Sequence, residues 1–116
     1  MPPAPESLLP LSPPVLHILL SLADADRHGY AIMQEIEERT GGAVRIGPGT
    51  LYGAIKRLRD DELIEELVAD GEGSDERRRY YHLTALGRKV ARLEAERLEE
   101  LVAAARARLG RAARPA

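Results

Sequence analysis

With 116 residues the chain has room for one domain of ordinary size built on one modest core. Its 17 Lys and Arg against 19 Asp and Glu leave a formal charge of −2, so a nucleic-acid reading has to rest on where the cations sit rather than on their sum. The absence of cysteine excludes disulfides, thiolate catalysis and cysteine-ligated zinc, and it suits a reducing cytoplasm.

The opening stretch MPPAPESLLPLSPP lacks the basic start of a signal peptide and is crowded with proline, and no apolar run in the chain approaches the roughly 20 residues a membrane helix needs. Residues 1–11 read as a flexible arm. Ser12 then offers an N-cap with Pro13 at the first helical position, and VLHILLSLA follows as a helix apolar on nearly all sides, which must be covered on nearly all sides. His17 on that helix reads as a core or interface histidine rather than a ligand. DADRHG breaks the pattern. YAIMQEIEERTGG gives a second helix with Ile32, Met33 and Ile36 turned inward and Gly41 and Gly42 as its stop.

The third helix starts in GPGTLYGAIKRL. At a period of 3.6 residues Leu51, Ile55 and Leu58 share one side, while Gly49, Gly53, Lys56, Arg57 and Asp60 fall opposite, with Thr50 and Tyr52 at the flanks. Glycine lets a backbone approach another surface, and the free amides of a helix start favour an anion such as phosphate. LIEELVA and RRRYYHLT read as two strands of a hairpin joined by the polar turn DGEGSDE. Alternation sets Arg77, Arg79, Tyr81 and Leu83 on one face and Arg78, Tyr80 and His82 on the other, with Tyr81 and Leu83 packed inward. The arginines near the tip either meet a DNA backbone or pair with Asp70, Glu72, Asp75 and Glu76 across the turn.

Thr84 can cap a last helix reaching residue 109, long for the domain beneath it. Leu86, Val90, Leu93, Leu98, Leu101, Val102 and Leu109 form its drifting apolar stripe, and Arg92 with Glu96, or Glu94 with Arg97, read as outward pairs. A projecting helix with such a stripe needs a partner, most simply a second copy. The expected interface comprises Leu16, Leu19 and Leu20 of the first helix with Val90, Leu93, Leu98, Leu101 and Val102 of the last. The fold class is thus α+β, mostly α: a winged helix-turn-helix over residues 12–83, a dimerisation helix over 84–109 and a flexible tail over 110–116.

The three histidines are scattered, and neither a nucleophile–base constellation nor a Gly-x-Ser-x-Gly or His-Glu-x-x-His motif occurs, so the chain is read as no enzyme, with neither metal site nor cofactor. The serious rival to DNA binding is a winged-helix protein-interaction module.

HGYAIMQEIEERTGG, GPGTLYGAIKRLRDDELI and RRRYYHLTALGRK, in this order over residues 28–89, resemble the PadR family of bacterial transcriptional regulators. That family's pattern runs as a His-Gly-Tyr helix start, a Ser-Pro-Gly-Thr-Leu-Tyr recognition helix and an Arg-Tyr-Tyr-x-Leu-Thr wing strand. The single last helix is similar to the family's shorter branch. Gly47 departs from the usual capping serine, and Ala85 and Leu86 from the commoner Glu-Ala before the glycine. The resemblance implies a homodimeric repressor on a palindromic operator of double-stranded DNA, with the third helix of each subunit in the major groove. It implies that Gly49, Thr50, Tyr52, Gly53, Lys56 and Arg57 face the groove, that His28, Gly29 and Tyr30 meet phosphate, and that Arg78 and Arg79 act from the wing. It also leaves room for a small-molecule effector, whose identity the residues do not give.

Overall fold

Proline or a side-chain cap fixes the start of every long helix. The structure, a computed structural model, describes residues 3–70 and 77–110 with all their side chains except those of residues 69, 70, 77 and 78. Helix α1 spans Pro13–Ser21 with proline in its first turn; Ser12 holds the N-cap position through its carbonyl, which accepts from the Leu16 amide, and makes no side-chain cap. Helix α2 (Gly29–Arg39) is capped by His28, whose Nδ1 accepts from the Ala31 amide at 3.1 Å. It stops at Thr40, and the chain turns away through Gly41 and Gly42 at φ +61° and +83°, a region glycine enters without a Cβ penalty. Helix α3 (Pro48–Asp60) has Gly47 at its N-cap with no side-chain acceptor. Helix α4 (Ala85–Leu109) is capped by Thr84, whose Oγ1 accepts from the Gly87 amide at 2.9 Å.

Strands β1 (Arg27–His28), β2 (Ile64–Asp70) and β3 (Arg77–Leu83) form one antiparallel sheet in the order β1-β3-β2. The register pairs Ile64 with Leu83, Glu66 with Tyr81 and Val68 with Arg79. Paired residues share a face, so the inner face runs from apolar to charged toward the hairpin tip. Tyr81 and Leu83 are buried, as their alternation predicts. The two-residue β1, absent from the sequence reading, fastens the start of α2 to the wing through Arg27–Tyr81 and His28–Tyr80.

The core gathers Ile18, Leu19 and Leu22 from α1, Ile32 and Ile36 from α2, Leu51, Ile55 and Leu58 from α3, and Val90 from α4 around the inner face of the sheet. His17 sits where α1 meets α2: Arg39 Nη2 donates to its carbonyl at 3.2 Å, and Nη1 lies 3.1 Å from its Nδ1.

The N-terminal segment differs from the flexible arm expected of it. Pro5–Leu8 forms a 3-10 turn, and Leu8, Leu9 and Leu11 pack against the core. The anchor is Glu94, which the helical pattern had placed outward. Its residue is 1% exposed, and its carboxylate accepts from the Leu11 amide at 2.7 Å and from Arg97. The expected hairpin tip at 71–76 and most of the expected tail, 111–116, lie outside the described residues.

The Arg97 hydrogen bond, aided by the Leu11 amide and opposed by burial, holds the Glu94 carboxyl below its ordinary value of 4.5. A depressed carboxylate stabilises the fold in full above its ordinary range, and that contribution disappears as pH falls through the lowered value. Glu94→Gln is therefore expected to lower the melting temperature at neutral pH and to make it less sensitive to acid below about pH 4.5 than in the unmodified protein. Melting curves followed by circular dichroism across that range check this; parallel curves for the two proteins would refute it.

Candidate nucleic-acid interface

Three elements converge on one side of the domain. The start of α2, the outer face of α3 and the outer end of β3 enclose an open groove of about 740 Å³. Its walls are His28, Gly29 and Tyr30 from the first, Tyr52, Lys56 and Arg59 from the second, and Arg79 and Tyr81 from the third.

At the first wall His28 is half-buried, spends its Nδ1 on the helix cap, and stacks edge-on against Tyr80 at 5.7 Å. The phosphate contact expected of it is thus limited to the rest of the ring; Nδ1 is structural. Gly29 is buried for a steric reason: a Cβ there would stand 2.5 Å from the Tyr52 hydroxyl. The glycine admits the tyrosine ring over the start of α2. Tyr30 and Tyr52 remain 62% and 51% exposed, a large aromatic surface in a chain with four tyrosines and no phenylalanine or tryptophan.

On α3 the exposed face is ordered by the 3.6-residue period. Tyr52 and Arg59 lie along one edge, Thr50 and Arg57 along the other, with Gly49, Gly53 and Lys56 between them. Nothing lies within 4 Å of a Cβ built on Gly47, Gly49 or Gly53, so the middle of this face is bare backbone open to solvent. The structure separates the two cations that the sequence grouped. Lys56 lines the groove, whereas Arg57 borders a crevice with Leu8, Pro10 and Val15 at the N-terminal segment. Arg59 joins Lys56 in the groove. The spacing that finds it is seven residues after Tyr52 and three after Lys56.

Each groove cation begins with an internal carboxylate. Lys56 Nζ stands 3.2 Å from Asp60, Arg59 Nη2 3.3 Å from Glu66 Oε2, and Arg79 Nε 3.7 Å from Glu66 Oε1. Burial, with the Glu66 charge behind it, pushes the Tyr81 hydroxyl above its ordinary pKa, so this ring stays neutral and serves as a floor. The Arg78 side chain, and the pairing expected between the tip arginines and Asp70, Glu72, Asp75 and Glu76, lie outside the described side chains.

The residues expected to form a dimer interface divide into two sets. Leu19 and Val90 have no accessible surface and belong to the protomer's own core, because α1 and α4 pack on each other there. Leu16, Leu93 and Leu98 are half-buried, while Leu20, Leu101 and Val102 are exposed at 43%, 57% and 46%. Beyond the domain, Leu98 and Val102 line an apolar depression along α4 with Ala95 and Ala103.

Three helices followed by a β-hairpin wing, with a long helix appended, define a winged helix-turn-helix protein. The chain belongs to the Transcriptional regulator PadR-like family, whose profile matches residues 16–93. This is a family of transcriptional regulators, not of enzymes. It is similar to the transcriptional regulator Rv3488 of Mycobacterium tuberculosis, 39% identical over 88 residues that cover 74% of this chain and 76% of that protein. It also resembles an uncharacterized 37.1 kDa protein in transposon Tn4556 of Streptomyces fradiae, at 40% identity over 84 residues; these cover 72% of this chain but only 22% of that protein. Among solved structures, a PadR family transcription regulator from Clostridium difficile R20291 superimposes with a TM-score of 0.72 at 27% identity, over 83% of this chain and 97% of that one. Bacillus subtilis PadR, solved in complex with operator DNA, shares the fold with a TM-score of 0.65 at 23% identity, over 72% of this chain and 46% of that one.

Proposed function

We propose that the chain is a sequence-specific DNA-binding transcriptional regulator that acts in the cytoplasm as a homodimeric repressor on a palindromic operator. The observation that carries this reading is the groove. One exposed surface joins a glycine-bare recognition helix, two exposed tyrosines and the cations Lys56, Arg59 and Arg79. Bare backbone permits close approach to a duplex, guanidinium and ammonium groups suit phosphate, and tyrosine adds contact area and a hydroxyl donor. The operator complex of Bacillus subtilis PadR supports the same reading by its shared fold. In this role α3 enters the major groove with Thr50, Tyr52, Lys56 and Arg57 toward the bases, and the wing follows the backbone.

Footprinting on the DNA upstream of the protein's own gene, followed by anisotropy titration of the protected duplex, tests this directly. Retention at low salt that falls steeply at high salt is the expected result, since counterion release accompanies phosphate neutralisation. Binding to no duplex under any salt condition would favour the protein-interaction reading.

The dimer rests on α4. Its 25 residues span about 37 Å, and Leu101 and Val102 stand exposed on its outer half. A two-fold partner covering that stripe would set two α3 helices at half-site spacing. Leu101→Asp is expected to yield folded monomers by light scattering at micromolar concentration and to weaken operator binding at least about tenfold, because one half-site holds too few contacts. A folded monomer for the unmodified protein would overturn the dimer.

A further inference from the structure

Glu66 occupies a position that packing alone does not justify. It faces Tyr81 two rungs beyond the apolar Ile64–Leu83 pair, the next pair on the inner face of the sheet, and its side chain is only 17% exposed. An apolar residue would bury there without desolvation cost, whereas a carboxylate must be compensated. The compensation is partial: Oε2 meets Arg59, but Oε1 has no hydrogen-bond partner among the described residues, with Arg79 Nε 3.7 Å away. One carboxylate thus links the recognition helix to the wing by two guanidinium groups. Both face outward, at 45% and 70% exposure.

We propose that Glu66 is a positioning residue of the DNA interface, tying α3 to the wing through Arg59 and Arg79 and competing with phosphate for both. This inference rests on the DNA-binding reading above. Either arginine can swing from Glu66 to a phosphate oxygen, but the largely enclosed carboxylate then loses a counter-charge. Backbone contact is discounted by that loss on every sequence. The discount falls on operator and unrelated DNA alike, so the competition lowers the sequence-independent part of the affinity and leaves base readout from α3 untouched. It also restrains the wing, because the two arginines stand on different elements and share one anchor.

The test compares the protected upstream duplex with a scrambled duplex of equal length and composition across a salt series. Glu66→Gln, which keeps the shape and removes the charge, is expected to raise affinity for the scrambled duplex roughly threefold to tenfold and to steepen its salt slope by about one. Affinity for the operator should rise by a similar factor, which leaves the operator-to-scrambled ratio unchanged. Arg79→Gln is expected to cost less than about threefold on the scrambled duplex in the parent protein, and several-fold more when combined with Glu66→Gln. A purely structural Glu66 would lower the melting temperature and leave affinity and salt slope on both duplexes unchanged, which overturns the proposal. If Glu66→Gln does not fold, a tenfold loss for Arg79→Gln alone on the scrambled duplex overturns it equally, because that arginine would then already be committed to phosphate. Failure of the unmodified protein to bind either duplex identifies the DNA-binding reading itself as the failure.

Discussion

Gly53→Glu is expected to abolish operator binding while leaving the protein folded, dimeric and at least as stable as before. Position 53 is exposed, and no atom lies within 4 Å of a Cβ built on it, so the new side chain enters solvent without touching the core. Replacing a helix-interior glycine contributes about 0.5–1 kcal/mol to stability, and a glutamate there stands four residues before Arg57, a favourable pairing. Bound to DNA, the same side chain would fill the bare strip between Gly49 and Lys56 and bring a carboxylate toward phosphate. A loss of at least about 100-fold, or roughly 2.7 kcal/mol, is the expected size. Gly53→Ala, which adds a methyl and no charge, should lose far less. Operator titration together with thermal melting decides the matter: unchanged affinity for a folded Gly53→Glu protein would remove α3 from the interface.

Gly87→Ala is the change expected to damage the fold most. A Cβ at this position would overlap the Leu63 carbonyl and press on Leu83 Cδ1 at 2.7 Å. The first of these is backbone, itself bonded to the Thr84 amide at 3.1 Å and to Thr84 Oγ1 at 2.9 Å, so it cannot step aside without breaking the cap of α4. Overpacking typically costs about 1–3 kcal/mol, and an overlap with bonded backbone belongs at the upper end, about 3 kcal/mol, a large part of the stability of a domain this size. Urea denaturation should show either an unfolding free energy lowered by that order or a chain that no longer folds. A variant within about 0.5 kcal/mol of the parent would mean that α4 does not pack against the start of β2 this closely. The two glycines make opposite predictions from one residue type: Gly53 has open space beyond its Cα, and Gly87 has a carbonyl.

Those contrasts mark how far the residues could be read. The apolar period placed Leu51, Ile55 and Leu58 inward on α3 and left the glycines outward, and both hold in the structure. Alternation placed Tyr81 and Leu83 inward on β3. Thr84 as the cap of the last helix was equally legible, since a hydroxyl before a helical run acts locally. Of the groove's lining, the sequence names His28, Gly29, Tyr30, Tyr52, Lys56 and Arg79 but not Arg59, nor Glu66, which pairs with Arg59 and Arg79 from beside it. Arg57 shares the exposed face of α3 with Lys56, as its projection opposite Leu51 and Ile55 predicts, but one residue turns a helix by about 100°, so it stands at the other edge of that face, beside the N-terminal segment.

The sequence by itself determined the four long helices, the two wing strands and the apolar face of each, because those follow from neighbours within a turn or a rung, whereas β1 and the turn at Pro5–Leu8 form only against distant partners. It could not determine what covers each face. Leu19 and Val90 read as interface and are core, Glu94 reads as outward and is enclosed, and residues 5–11 read as an arm yet lie along α4. Each of these depends on a contact between residues far apart in the chain, such as the Leu11 amide on Glu94 or the Ile64–Leu83 rung, and only the tertiary structure brings such pairs together. Periodicity reports the direction of a side chain from its own helix or strand; the second surface it meets is set by how the elements close on one another.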